Sequence, residues 1–211
     1  MGADVTVAVV EDDPDLRELH RIRLTPEYLV ETFTDGRTAL DRINDQEVLL
    51  LDRNLPAIDG DTVARQLRKD GYQGAIAMVT SQRPDPAIAS VPIDEYVRKP
   101  VDRDSLLSIV DRLEHRLDAS DSVRALLAMV TRRYRLEDAH PDGSLSRSDS
   151  YQSLTRQIER EYHRVRNDEA TRTDITTFAK TVPTADDRRS GITDDLTIGE
   201  SIDPLGRGQE L

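Results

Sequence analysis

Along the first hundred residues, short apolar runs alternate with stretches whose apolar residues recur every three or four positions. Val5-Thr6-Val7-Ala8-Val9-Val10 is a continuous β-branched run, the pattern of a strand buried on both faces of a parallel sheet. Pro14 then opens a helical stretch, with Leu16, Leu19 and Leu24 at helical spacing before Thr25-Pro26. The alternation continues with Tyr28–Phe33 (strand), Arg37–Ile43 (helix), Val48–Leu51 (strand) and Thr62–Lys69 (helix). Ala75–Val79 and Glu95–Arg98 then read as strands and Asp104–Leu117 as a helix. Strands separated by helices predict an α/β domain built on a five-stranded, doubly wound parallel sheet. Beyond Leu117 no strand pattern remains. Val123, Leu126, Leu127, Val130 and Tyr134 form one helical stripe, and Tyr151, Leu154, Ile158, Tyr162 and Val165 form a second. The Ser- and Gly-containing segment Asp138–Ser150 separates them, so the two stripes predict an α-helical hairpin.

The polar residues that end the strands carry the chemistry. In an open parallel sheet, ligands bind outside the carboxyl ends of the strands. Four apolar runs end there in a useful group: Val10 leads into Glu11-Asp12, Leu51 into Asp52, Val79 into Thr80, and Arg98 into Lys99. Glu11, Asp12 and Asp52 together repel one another unless a hard divalent cation or a lysine neutralises them, and Mg²⁺ suits an all-oxygen site that also takes a phosphoryl oxygen. A hydroxyl from Thr80 and the ammonium of Lys99 both suit a phosphoryl group on Asp52. Singly, an acidic pair after a strand is a solvated turn, a strand-terminal Thr is a cap, and a Lys is surface charge. The order of all four on four strands favours the functional reading.

Composition narrows the field. The chain has 211 residues, 41 acidic against 29 basic, and no cysteine. A disulfide framework, a thiolate zinc site and a cysteine nucleophile are therefore excluded. There is no long apolar run, and Asp4 stands where a signal peptide would carry positive charge; the expectation is a soluble, cytoplasmic protein with no membrane association. Only Lys69, Lys99 and Lys180 are lysines, so most positive charge is Arg on an acidic background. That balance resembles proteins of extremely halophilic archaea, where salt screens charge within about 3 Å at 1 M and hydrated carboxylates maintain solubility. Residues 167–211 carry 10 acidic and 5 basic residues with few large apolar ones, the composition of a disordered tail. The expected division is residues 1–118, 119–168 and 169–211.

Val9-Val10-Glu11-Asp12-Asp13, Leu51-Asp52-Arg53-Asn54-Leu55-Pro56-Ala57-Ile58-Asp59-Gly60, Val79-Thr80-Ser81 and Tyr96-Val97-Arg98-Lys99-Pro100 together resemble the receiver domain of two-component response regulators. The resemblance covers about residues 4–117 and implies the flavodoxin-like receiver fold. It also implies that Asp52 is the phosphoacceptor, that Mg²⁺ is bound by Glu11, Asp12, Asp52 and the main-chain carbonyl of Asn54, and that Thr80 and Lys99 contact the phosphoryl oxygens. Tyr96 falls at the family's switch aromatic, and Lys99-Pro100 at its cis peptide. Leu55-Pro56 and Asp59-Gly60 resemble the turn closing the floor of the site, with Gly60 supplying backbone freedom. The implied partner is a sensor histidine kinase, and the implied role is signalling, with only phosphotransfer and autodephosphorylation chemistry of its own.

Two features depart from the family. Only 18 residues separate Thr80 from Lys99, with Pro84, Pro86 and Pro92 among them, so the family's fourth helix should be short or absent. That helix belongs to the family's common dimerisation face, which leaves the oligomeric state open. Arg53, beside Asp52, reads equally as a tuner of phosphoryl lifetime or as a solvent-facing arginine without a role.

The helical hairpin resembles the HalX-type domain that follows receiver domains in haloarchaeal regulators. Its output partner is unidentified. Arg156, Arg160 and Arg164 line one helix face, and Arg132, Arg133 and Arg135 end the preceding helix, so a DNA-binding transcriptional regulator is the alternative. Glu159 and Glu161 interrupt the stripe, which favours a solvated face with local ion pairs over DNA. A phosphohydrolase ranks last, because aspartyl-phosphate hydrolases place a second Asp two residues after the nucleophile and Asn54 stands there.

Overall fold

The computed structural model describes residues 5–168 and residue 177. The strands are β1 (Thr6–Val10), β2 (Leu29–Phe33), β3 (Val48–Leu51), β4 (Ala75–Thr80) and β5 (Glu95–Arg98), and every pairing is parallel in the order β2-β1-β3-β4-β5. The helices α1 (Pro14–Leu24), α2 (Gly36–Arg42), α3 (Gly60–Lys69) and α4 (Arg103–Leu117) complete the doubly wound unit. The expected acidic tail lies outside the described residues, apart from residue 177.

Side-chain alternation divides the interior into two halves. Val7, Val9, Leu50, Ala77 and Val79 point to the face covered by α1 and α4, where Leu24, Leu106, Val110 and Leu113 meet them. Ala8, Val10, Leu49, Leu51, Ile76 and Met78 point to the other, toward α2 and α3. A strand buried on both faces needs no polar positions, hence the continuous runs in the sequence.

Helix starts are set by aspartates. Asp13, Asp35, Asp59 and Asp102 cap α1 to α4 by accepting hydrogen bonds from free first-turn amides. The helices α2, α3 and α4 accordingly begin one or two residues before the apolar spacing predicted, because Gly36, Gly60 and Arg103 follow a cap without adding to an apolar stripe.

Where the family's fourth helix was expected to be short or absent, a five-residue 3₁₀ turn, Pro86–Ser90, stands instead. Its side of the sheet is covered by α5 (Asp121–Ala139) and α6 (Asp149–Asn167), the predicted hairpin, with a second 3₁₀ turn (Ser144–Arg147) in its connection. Val123, Leu126 and Leu127 of α5 and Leu154, Ile158 and Val165 of α6 join Ile88, Val91, Ile93 and Tyr96 in the same apolar cluster as the sheet face. Polar contacts fasten the same seam. Arg132 donates to the Val91 carbonyl (2.6 Å), Arg135 to the buried Glu95 carboxylate (2.9 Å), His140 Nε2 to the Pro84 carbonyl (2.8 Å) and Ser150 Oγ to the Pro86 carbonyl (2.8 Å). Among the described residues, no helix is long and apolar enough to cross a membrane.

Candidate functional site

The register aligns the strand ends. Val10 is level with Phe33 on one side and Leu51 on the other, Leu51 with Met78, and Thr80 with Arg98. The residues just past these positions therefore meet at one edge of the sheet. Carboxylate oxygens of Glu11, Asp12 and Asp52 lie within 4.8 Å of one another. Lys99 Nζ is 2.6 Å from Glu11 Oε2 and 3.4 Å from Asp52 Oδ1. Asp52 Oδ1 is buried and has no hydrogen-bond partner.

Burial raises the pKa of Glu11 above the usual carboxylate range, the hydrogen bond and charge of Lys99 pull it back, and the neighbouring Asp52 adds to the rise. Glu11 is therefore costly to keep ionised with one lysine alone. An all-oxygen pocket with a buried carboxylate oxygen that accepts no hydrogen bond fits a hard divalent cation.

Thr80 is buried at the end of β4, its Oγ1 accepting from the Gln82 amide at 3.4 Å. Asn54 is exposed, and its Oδ1 accepts from Gln82 Nε2 at 2.5 Å. Tyr96 is packed inward, its hydroxyl donating to the Gln82 carbonyl at 3.2 Å, and burial holds its pKa up. The Lys99-Pro100 peptide is cis. The structure thus brings Glu11, Asp12, Asp52 and Lys99 together, with Thr80 on the adjoining strand end, and places Asn54 and Tyr96 on the flanking loop and strand.

Gly60 departs from expectation. Its backbone is not left-handed; a Cβ there would collide with the Asp52 carbonyl oxygen and press on Arg53 Cα. The close approach is secured by the Gly60 amide donating to the Arg53 carbonyl (2.9 Å). The left-handed residue of this turn is Ala57 (φ 66°). Glycine is required for proximity, not for conformational freedom.

Arg53 is not solvent-facing. Its side chain is buried between Asp61 and Asp85, donating to Asp61 through Nε and Nη2 (both 3.0 Å), and through Nη1 to Asp85 (2.6 Å) and Gln82 (3.1 Å). Burial alone would lower its pKa; hydrogen bonds and charge from the two aspartates more than offset this and raise it. The site also holds residues that sequence reading passed over. Arg17 donates to the Glu11 carbonyl (2.7 Å) and the Asp12 carbonyl (3.2 Å), fixing the acidic loop. His20, buried on α1, has its pKa lowered to about 4 by burial first and then by the charges of Lys99 and Arg23. Nothing in the apolar spacing marks either one, since both sit on α1 between residues that define its stripe.

The family description "Response regulator receiver domain" matches residues 7–111. Response regulator MprA of Mycolicibacterium vanbaalenii is 32% identical over 158 residues, which cover 72% of this chain and 68% of MprA. A Haloferax volcanii protein described as a candidate transcriptional regulator is 36% identical over 138 residues, or 64% of this chain. The match takes up only 24% of that protein's length. The solved CheY-like receiver domain of Methanospirillum hungatei superposes with a TM-score of 0.50 at 20% identity, over 54% of this chain and 96% of that one, a likeness of fold alone. The acidic edge of a 2-1-3-4-5 parallel sheet and these matches define the class: the chain belongs to the response regulator receiver family.

Proposed function

We propose that this chain accepts a phosphoryl group on Asp52 from a phosphohistidine of a sensor histidine kinase and relays the signal through its helical hairpin. The Asp52 carboxylate attacks phosphorus, an acyl phosphate O–P bond forms, the N–P bond to histidine breaks, and the imidazole leaves with the electron pair and takes up a proton. The observation that carries this reading is the buried Asp52 Oδ1, which accepts no hydrogen bond and faces Lys99 Nζ at 3.4 Å. Lys99 places its charge against the transferring group, and Thr80 offers its hydroxyl to a phosphoryl oxygen. Mg²⁺, held by Glu11, Asp12, Asp52 and the Asn54 carbonyl, supplies charge neutralisation when bound. Tyr96 serves as the switch residue beside Thr80. This is signalling chemistry in the cytoplasm, where kinase phosphohistidine is made, and not turnover of a small substrate.

Incubation with Mg²⁺ and acetyl phosphate is expected to add one phosphoryl group by intact mass, and Asp52→Ala to abolish it. Equal phosphorylation of the variant refutes the assignment.

We assign residues 1–118 to the receiver and 119–168 to a HalX-type hairpin, a reading supported by the helix-loop-helix arrangement. A second reading, DNA binding by α6, is favoured by one observation. Arg156 and Arg160 are exposed and, among the described residues, have no acidic group within ion-pair distance, whereas Arg164 meets Glu161 at 3.4 Å. The α5 arginines do not share that freedom: Arg132 and Arg135 are committed to the receiver, and Arg133 faces Glu137 at 3.6 Å. A mobility shift that survives Arg156→Ala, Arg160→Ala and Arg164→Ala together removes this alternative.

A further inference from the structure

Two of the polar contacts between receiver and hairpin, those of His140 and Ser150, fall at the end of one short loop, residues 81–85, and on the residue after it. The loop's beginning follows Thr80, at the edge of the acidic site. Its end is the cap of the 3₁₀ turn, where Asp85 Oδ1 accepts from the Ala87 amide (2.8 Å) while Oδ2 accepts from Arg53 (2.6 Å). The carbonyls on either side of Asp85, those of Pro84 and Pro86, are the acceptors for His140 and Ser150 of the hairpin. Midway, Gln82 bridges the same two segments: its side chain accepts from Arg53 and donates to Asn54, and its carbonyl accepts from Tyr96. Arg53 is covalently joined to Asp52, and its guanidinium has one carboxylate at the start of α3 and another at the cap of the 3₁₀ turn, between the two carbonyls that the hairpin holds.

Resting on the reading of Asp52 as phosphoacceptor, we propose that Arg53 is a positioning residue that transmits the phosphorylation state of Asp52 to the α5–α6 hairpin through Asp85. A phosphoryl group brings three strong acceptor oxygens and a charge of about −1.5 to −2, and it draws the donors of the loop after Thr80 toward Asp52. An unbraced loop of five residues would absorb that movement. The fork of Arg53 on Asp61 holds the guanidinium in place, while its Nη1 bonds to Asp85 and Gln82, together with the Gln82–Asn54 bond, join residues 53 and 54 to residues 82–85, so the displacement reaches the Pro84 and Pro86 carbonyls instead. Their bonds to His140 and Ser150, both 2.8 Å in the unphosphorylated arrangement, lose alignment, and the hairpin loosens.

The test is amide hydrogen exchange over residues 121–167 in the full chain, with and without Mg²⁺ and acetyl phosphate, with phosphoryl occupancy read by intact mass in the same samples. Phosphorylation of the wild type is expected to speed exchange in the hairpin by about fivefold. In Asp85→Asn, which keeps a capping oxygen but removes the charge facing Arg53, and in Arg53→Lys, which loses the fork, occupancy is retained and the fivefold change disappears. A phosphorylated wild type with unaltered hairpin exchange overturns the coupling while leaving phosphoacceptance standing. So does a full response in both variants. A wild type that takes up no phosphoryl group overturns both readings together.

Discussion

Lowering the pH from 7 to 5 should destabilise this protein mainly through His20. Its pKa is lowered from 6.5 to about 4 by burial and by the neighbouring charges of Lys99 and Arg23, with Asp52 pulling weakly the other way. Between those two values the unfolded chain binds more protons than the folded one, so stability falls as pH falls through the window and levels off below about 4. At about 1.4 kcal/mol per pH unit, the full window is worth roughly 3 kcal/mol, and about 2 kcal/mol of it is gone by pH 5. His115, its pKa raised by its hydrogen bond to the Asp111 carbonyl, binds a proton more readily in the folded state over the same range and so opposes the loss. Asp59, lowered by the hydrogen bond from the Thr62 amide, and Asp85, where burial is outweighed by the bonds and charge of Arg53 and the Ala87 amide, act below their ordinary 3.8, and Glu11, whose pKa is raised by burial, takes up its proton more readily in the folded state and so also opposes the loss. Urea unfolding of wild type and His20→Gln at pH 7 and pH 5 isolates the histidine, because every other group titrates in both proteins. The wild type is expected to lose about 2 kcal/mol more than the variant over that interval. Parallel pH profiles would falsify the placement of His20 as a buried, neutral ring.

Gly60→Ala forces a methyl group against the Asp52 carbonyl and Arg53 Cα, and is expected to cost about 1–3 kcal/mol and to slow phosphorylation by acetyl phosphate; a normal rate would show that the floor of the site can shift freely. Ile158→Ala in α6 removes a fully buried side chain from the seam and should cost roughly 2–5 kcal/mol in a single unfolding transition monitored by circular dichroism, whereas a hairpin that melts alone, ahead of the sheet, would contradict a shared interior.

The sheet and the acidic edge were legible because each rests on local pattern. A strand buried on both faces must be apolar throughout, and a ligand-facing group must follow its last residue, so Val10-Glu11-Asp12 and Leu51-Asp52 reveal both at once. The roles of Arg53 and Asp85 were not legible. The two lie 32 positions apart, and nothing in the sequence near either one specifies that they pair. Glu95 is a similar case: it begins β5 as a charged residue that a strand pattern would place in water, yet it is buried with Arg135 of α5 at 2.9 Å and Arg112 of α4 at 3.8 Å. The basic run at the end of α5 reads as a surface feature because spacing shows which face a residue shares, not what the chain later lays against it. Gly60 reads from the sequence as special but for another cause, since a turn motif shows that a glycine is needed and not that the chain folds back on Asp52 and Arg53 closely enough to exclude a Cβ.

Because Ile158 and Leu154 belong to the same oily interior as Leu49 and Met78, detaching the hairpin is less like opening a hinge than like tearing a drop of oil in two. Water would meet both torn surfaces at once. Any signalling state that frees the hairpin completely must therefore supply something greasy to lie where α5 and α6 had been.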